Sequence, residues 1–570
     1  MKLSQPYTNE ITIEKFYGYN HNLRVGYGGF YDMQNLTSSY FPMLSTRHKR
    51  ADFSVTGKVE GLFSKEKIAY INNNTLYYGG TAVSGMYFPD LKTERKLVSM
   101  GAYLLIFPDK KYLNTDNTSI FGDIEATFTT AGEVTYTLSD VNGTAYTYLT
   151  TKPEEPEDGD YWLDGSTLKK YSEYSSSWVS VLSTYVKISY PNIGKAFSQY
   201  DGVKISGSSD SQFNTTTVLW AVADDYIVVT GIIAGTFTQN TALTIKREVP
   251  DMDFLCEGEN RVWGCNSSKN EIYACKLGDF KNWNCFMGIS TDSYAASVGT
   301  DGDFTGAIRY LSSVLFFKEN CIHKIYNTNP PYTISSSFAK GVQKGSSRSL
   351  CVVNGSLFYL SPTGIVVYEG SLSSPVENVF GTTYYFNGVA GEFRDKYYIC
   401  VSSGTNTKTL FVYDTKTRMW HKEDNINISE FATNDSNLYF IYDDNGTKKL
   451  GLIDSEQPYG SFTGQLRGYN PENSVAWYAE TGLIGLDYVG HKYIKIISTR
   501  LKLDGNITLY AEYDSSGVWE VVDKIETTKL HGVVLKTSIP QRCDHLRLRF
   551  TGNGICNIYS LTISIEEGSE

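Results

Sequence analysis

The chain has 570 residues, a net charge of −11, and 44 Tyr, 28 Phe and 50 Gly against only 15 Pro. That length exceeds one ordinary domain and sets an expectation of two to four. The acidic total, with both signs interspersed, argues against a general nucleic-acid binder but leaves room for a basic lining on one face. Aromatic residues with frequent Gly, Asn, Asp and Ser turns favour strands and short loops. No long stretch carries an i, i+3, i+4, i+7 apolar pattern, and no apolar run is long enough to span a membrane as a helix. The expectation is an all-β protein with no membrane-spanning segment.

The N-terminal "MKLSQPYTNEITIEKF" has no apolar core followed by a small-residue cleavage site, so synthesis and folding in a cytoplasm are expected. Residues 1–50, including "YDMQNLTSSYFPMLSTRHKRADFS", lack periodicity and contain the basic run Arg47-His48-Lys49-Arg50. They read as an extended arm. Residues 51–116 then hold two hairpin units, "GKVEGLFSKEKIAYINNNTLYYGGTAV" and "RKLVSMGAYLLIFPDKKYLNT". Alternating apolar residues broken by Gly and Asn turns predict paired strands in both.

Residues 117–250 are too long for a loop and have strands of their own, such as "VLWAVADDYIVVTGII". They read as an inserted small β domain. Within it, "YWLDGSTLKKYSEYSSSW" presents Tyr161, Trp162, Tyr171, Tyr174 and Trp178 as candidates for stacking on sugar rings, although some rings of a small β domain must form its core.

From 251 to 460 the hairpins recur. "SSVLFFKENCIHKIYN", "GSLFYLSPTGIVVYEG" and "KYYICVSSGTNTKTLFVYDTKTRMWHKE" each pair two apolar runs across a polar turn. A period of roughly forty residues with three or four short strands is the mark of a propeller blade, because one such sheet cannot bury both faces alone. The blades fit a six- or seven-bladed β-propeller. After 460 the rhythm stops, and residues 461–570 carry longer alternating strands that read as a C-terminal β-sandwich, jelly-roll-like.

Glycoside hydrolysis needs two carboxyl groups aimed into one pocket. Here Asp443-Asp444-Asn445-Gly446, Asp301-Gly302-Asp303 and Asp158-Gly159-Asp160 are turn carboxylates, which ordinarily cap their own backbone. "YDSSGVW" at 513–519 faintly matches a sialidase Asp-box but is single and lies outside the blades. There is no GxSxG and no phosphate-cradling GxxxxGK[ST]. The acids of "DSYAASVGTDGDFTGA" do not fit EF-hand spacing. His323, between Ile322 and Lys324, reads as a core or edge histidine. Cys256, Cys265, Cys275 and Cys285 fall in four neighbouring strands, where a four-thiolate metal site is conceivable, but free Cys is more often a small core hydrophobe. No catalytic, metal or cofactor site is expected, and no enzymatic activity. Arg47, Lys49, Arg50, Lys340, Lys344 and Arg348 are candidates for phosphate or subunit contacts, the competing reading being a solvated surface.

The arm "DMQNLTSSYFPMLSTRHKR" resembles the phrase D-x-x-N-L-(T/S)-x-x-x-(Y/F)-P-x-(L/M)-(S/T)-x-R at the start of phage virion propellers. The run from "LGDFKNWNCFMGISTDSYAASVG" to "GSLFYLSPTGIVVYEG" and the tail "RCDHLRLRFTGNGICNIYSLTISIEEGS" are similar to the same group, the packaged-DNA stabilisation or tail hub-nozzle proteins. The resemblance implies a propeller subunit of a homo-oligomeric ring, often six-fold, below the portal and adaptor of a bacteriophage tail. Such a ring would prolong the channel for double-stranded DNA, hold the genome until ejection, and carry other tail parts such as fibres. It implies a virion location and carries over no catalytic residues. The alternatives are a receptor- or glycan-binding tail protein and a polysaccharide-degrading tailspike.

Overall fold

The computed structural model describes residues 8–90, 94–326, 332–376, 378–405, 407–434, 437–456, 466, 468–487, 490–537 and 541–567. They form an all-β protein: its elements are strands, interrupted by two short 3-10 turns, with no α-helix among the described residues. Nor is any helix there long and apolar enough to cross a membrane.

The recurring element is a four-stranded antiparallel meander. Ser356–Ser361 and Gly364–Tyr368 form the centre of one, flanked by Cys351–Val353 and Ser373–Pro375. Its register places Leu357 opposite Tyr368 and Tyr359 opposite Val366. Both central strands are almost wholly buried, so the continuous apolar runs in the sequence are strands covered on both faces. The same design recurs in Val59–Tyr87, Lys96–Asp123, Phe254–Ser297 and Phe386–Lys422. Another copy orders Phe304–Tyr310, Ser313–Lys318, Cys321–Tyr326 and Thr333–Ser337. One sheet is assembled from distant parts of the chain: Asn427–Asn434, Asn437–Asp444 and Thr447–Leu452 are completed by Ala51–Gly57, with Lys448 opposite Gly57 and Leu452 opposite Ala51. These meanders are blades of the propeller class.

The chain divides into two compact units. Residues 1–94, 317–323 and 336–570 form the first, and residues 95–316 and 324–335 the second.

In the first unit the N-terminal segment does not stand apart as an arm. Thr8–Ile13 pairs along Leu546–Glu567, with Ile11 opposite Ile563, and Leu44–Thr46 pairs with the same strand near Ile558. Gly29–Gln34 joins Ala476–Thr481. These strands share one ten-stranded sheet with Lys492–Tyr513 and Glu520–Thr537, so the two ends of the sequence fold together. The sheet's inner face, including Leu503, Leu509, Phe550 and Ile563, is continuous with a core that also contains Phe358, Tyr397 and Trp420. Gly505 and Gly554 sit opposite each other with φ of 130° and 99°, and a Cβ on either would strike the other strand's backbone.

In the second unit the segment between the blades has its own core, from Val134, Tyr136 and Ile188 through Phe213 and Ile227 to Ile245. Three small sheets enclose it.

Candidate functional site

In the first unit, two arginines of the basic run point inward. Arg50 is 4% exposed, its guanidinium donating to Glu423 and, at 2.7 Å, to Asp424. Arg47 donates from Nε to Asn35 at 2.8 Å and from Nη1 to Glu472 at 2.7 Å. The Glu472 carboxylate also accepts the Arg50 backbone N–H. Burial alone would raise the Asp424 and Glu472 pKa values, but the arginine charges and hydrogen bonds outweigh it and hold both below the ordinary carboxylate range. The reading of Arg47 and Arg50 as phosphate or subunit contacts is therefore corrected: their guanidinium groups are consumed inside the fold. Lys49 is half-buried, with its backbone N–H on Glu456. Lys340 reaches Asn320 at 2.8 Å. Arg348 donates to the Ser429 carbonyl and pairs with Glu430 at 3.3 Å. The Lys344 backbone N–H donates to Glu319.

Beside the Arg47–Arg50 cluster lies a cavity of about 420 Å3 whose walls come from the N-terminal segment and from three hairpin ends. Thr37, Ser38 and Ser39 form one side, and Phe393, Arg394 and Lys396 the next. Asp414, Lys416, Thr417 and Asp454 complete it. Lys396 donates to the hydroxyls of Thr37 at 2.9 Å and Ser39 at 3.0 Å. Burial pulls its pKa down, against the attraction of Asp414 and Glu423. Asp414 accepts from Ser38 at 2.5 Å. Asp454 accepts from His48 at 3.0 Å and pairs with Arg394 at 3.0 Å. The hydrogen bond to Asp454 raises the His48 pKa, while the net pull on Asp414 and Asp454 is downward. Both carboxylates are thus held ionised, which suits accepting hydrogen bonds and not donating a proton.

Sequence reasoning missed this cavity. Lys396 and Asp414 face each other across one strand pair, but Thr37, Ser39, His48 and Asp454 reach them from distant parts of the chain.

In the second unit the predicted aromatics are partly gathered. Trp162 and Trp178 meet edge to face at 5.5 Å, and Tyr171 lies 5.4 Å from Trp178. The strand register explains this, with Trp162 opposite Lys169 and Tyr171 opposite Trp178 on one face. The Lys169 ammonium lies 4.9 Å over the Trp162 ring. Tyr161 faces the other way, packing on the core and on Tyr146, whereas Tyr174 is fully exposed at a turn.

Other sequence candidates resolve into structure. Cys275 is buried with its Sγ 3.9 Å from Met100 Sδ, and burial pushes its thiol up to about 12. Cys265 belongs to a different core cluster. No group of three metal-ligating side chains occurs among the described residues. His323 is fully buried, its Nδ1 2.8 Å from Ser336, and burial lowers its pKa to about 4. The Asp443 carboxylate caps the Gly446 N–H of its own turn at 2.7 Å.

No family model matches the chain, and no curated protein matches it. Solved structures do. An exo-β-1,3-galactanase from Phanerochaete chrysosporium, bound to galactose, is 9% identical over 66% of this chain and 98% of that one, with a TM-score of 0.22. Saccharomyces cerevisiae Sqt1 is 10% identical over 72% and 100%, with a TM-score of 0.31. Trypanosoma rangeli sialidase is 8% identical over 97% and 95%, with a TM-score of 0.23. Glycoside hydrolases and a sialidase are among these structural neighbours, so the expectation of no enzymatic activity is not carried further. Similarity at this level transfers neither their activity nor their substrates.

Proposed function

We propose that the chain is a structural subunit of a bacteriophage tail, a hub or nozzle element that assembles with copies of itself into a ring below the portal and adaptor. The ring would continue the channel for double-stranded DNA without reading its sequence, retain the packaged genome, and anchor fibres and other tail parts. Its location would be the virion, after synthesis in the host cytoplasm.

One observation carries this reading. The stretch that bears the phage-propeller phrase is also the stretch that locks the first unit. Asn35 donates to the Ala476 carbonyl and accepts from Arg47, and Arg47 and Arg50 bind three carboxylates on two later segments. A phrase whose side chains hold distant strands together fits a mechanical role. The acidic total also fits a channel wall past which DNA slides, since phosphate binding grows with each neutralising Lys or Arg. Gold-labelled antibody against the chain should decorate the tail end of purified virions near the portal vertex. Absence of the chain from virions would overturn the proposal.

A second reading, glycan or receptor binding, is favoured by the paired Trp162 and Trp178 rings with Tyr171 and Lys169 on one face. Aromatic faces stack on sugar rings, and a lysine ammonium can donate a hydrogen bond to a sugar hydroxyl oxygen. Saturable binding to host surface glycan, lost in Trp162→Ala, would support it.

A further inference from the structure

We propose that the cavity beside Lys396 binds a polyhydroxylated small molecule carrying an anionic oxygen group, a carboxylate or a phosphate. This goes beyond the tail role and stands or falls apart from it.

The charge balance of the lining comes first. Of the groups around the cavity, Arg47 is occupied by Glu472 and Asn35, and Glu423 by Arg50. The remaining charges pair off as Arg394 with Asp454, Lys416 with Asp395 at the edge of the site and, most loosely, Lys396 with Asp414, with His48 adding positive charge when protonated.

Lys396 is the informative group. It is 9% exposed, and both of its close partners are neutral hydroxyls. Asp414 pairs with it loosely, at 3.9 Å, and already accepts from Ser38. A buried ammonium whose carboxylate is held at the limit of an ion pair is costly, and an incoming anion relieves that cost. The depressed pKa of Lys396 agrees with this loose pairing.

Two further features extend the ligand beyond a bare anion. Thr417 lines the cavity, and its buried Oγ1 has no hydrogen-bond partner, so a rotation of this side chain would let it bond a hydroxyl. Asp414 and Asp454 repel a naked anion but accept hydrogen bonds from hydroxyls. Phe41 is 39% exposed and, with Phe393 under the Arg394 guanidinium at 4.7 Å, offers an apolar wall for a sugar ring. The volume falls within the range of ordinary small-ligand sites.

The test is calorimetric titration of the full chain with glucuronate, glucose 6-phosphate, inorganic phosphate and glucose. Glucuronate or glucose 6-phosphate should bind at least about ten-fold more tightly than glucose, and their ratio tells carboxylate from phosphate. Arg394→Gln should weaken that binding about ten-fold with only a small change in thermal melting, because this guanidinium is half exposed and Asp454 keeps its bond from His48. Lys396→Met should abolish it, with melting recorded alongside. Equal affinity for glucose, or inorganic phosphate binding as tightly as the sugars, would overturn the assignment. So would binding indifferent to Arg394→Gln, or no binding of any of the four probes.

Discussion

The two units use the same chemistry to fasten their strands, but over very different lengths of chain. In the second unit Arg247 donates to Asp201 at 2.5 Å and Arg95 to Asp109 at 2.8 Å, across sequence separations of 46 and 14. In the first, Arg50 reaches Glu423 and Asp424 across separations of 373 and 374, and Thr8–Ile13 lies along a strand that ends the chain. All three arginines are buried, and each sits on a carboxylate. A buried ion pair adds little net stability over an apolar replacement, yet it punishes the loss of either partner. The second unit can close as its own segment folds, whereas the first must first join its ends, which is the slower kind of contact.

Breaking the clamps should have the largest effect. Arg50→Ala leaves Glu423 and Asp424 buried without their main cation and should cost about 3–5 kcal/mol. Arg247→Ala should cost a similar amount through Asp201. Calorimetry with hydrogen exchange should locate the first loss in the first unit and the second in the second. Protection lost equally from both units by either change would break the comparison.

Next come the cores. Leu503→Ala empties a fully buried position in the ten-stranded sheet and should cost about 2–5 kcal/mol in urea unfolding. Leu138→Ala in the second unit should cost a comparable amount.

Acid should separate the units more finely. Asp414, Asp424, Asp454 and Glu472, all in the first unit, have pKa values lowered in the folded state. Their contribution is present above the ordinary values of 3.8 and 4.5 and is lost as pH falls through the lower folded values. His48 has the opposite sign. Its pKa is raised, so its contribution is complete below 6.5 and is lost as pH rises through the folded value. The first unit should therefore be most stable between these limits, and His48→Gln should flatten the alkaline side of that profile. The smallest effect belongs to the exposed Arg309–Glu259 pair, where Arg309→Gln should change stability by no more than about 1 kcal/mol.

The sequence revealed what depends on local pattern. Alternation and continuous apolar runs identify strands such as Ser313–Lys318 and Ser356–Ser361, because burial of one or both faces is written into neighbouring residues. The Tyr171–Trp178 contact was also accessible, since a tight hairpin fixes which rings face each other. The place of residues 8–46 was not. Their partners lie at 476–481 and 546–567, and short strands broken by turns give no periodicity of their own. For the same reason Arg47 and Arg50 read as a surface run, although Glu423, Asp424 and Glu472 neutralise two of its cations. The Lys396 cavity was equally hidden, because Thr37 and Asp454 meet the Lys396–Asp414 strand pair only after distant segments have packed.

Electron microscopy of the purified chain, alone and mixed with the portal-side proteins of its own virion, tests the proposed tail role most directly. Closed rings with a central opening wide enough for duplex DNA, formed when those partners are added, are the predicted result. Monomers that never close into rings in the presence of the same partners would contradict it.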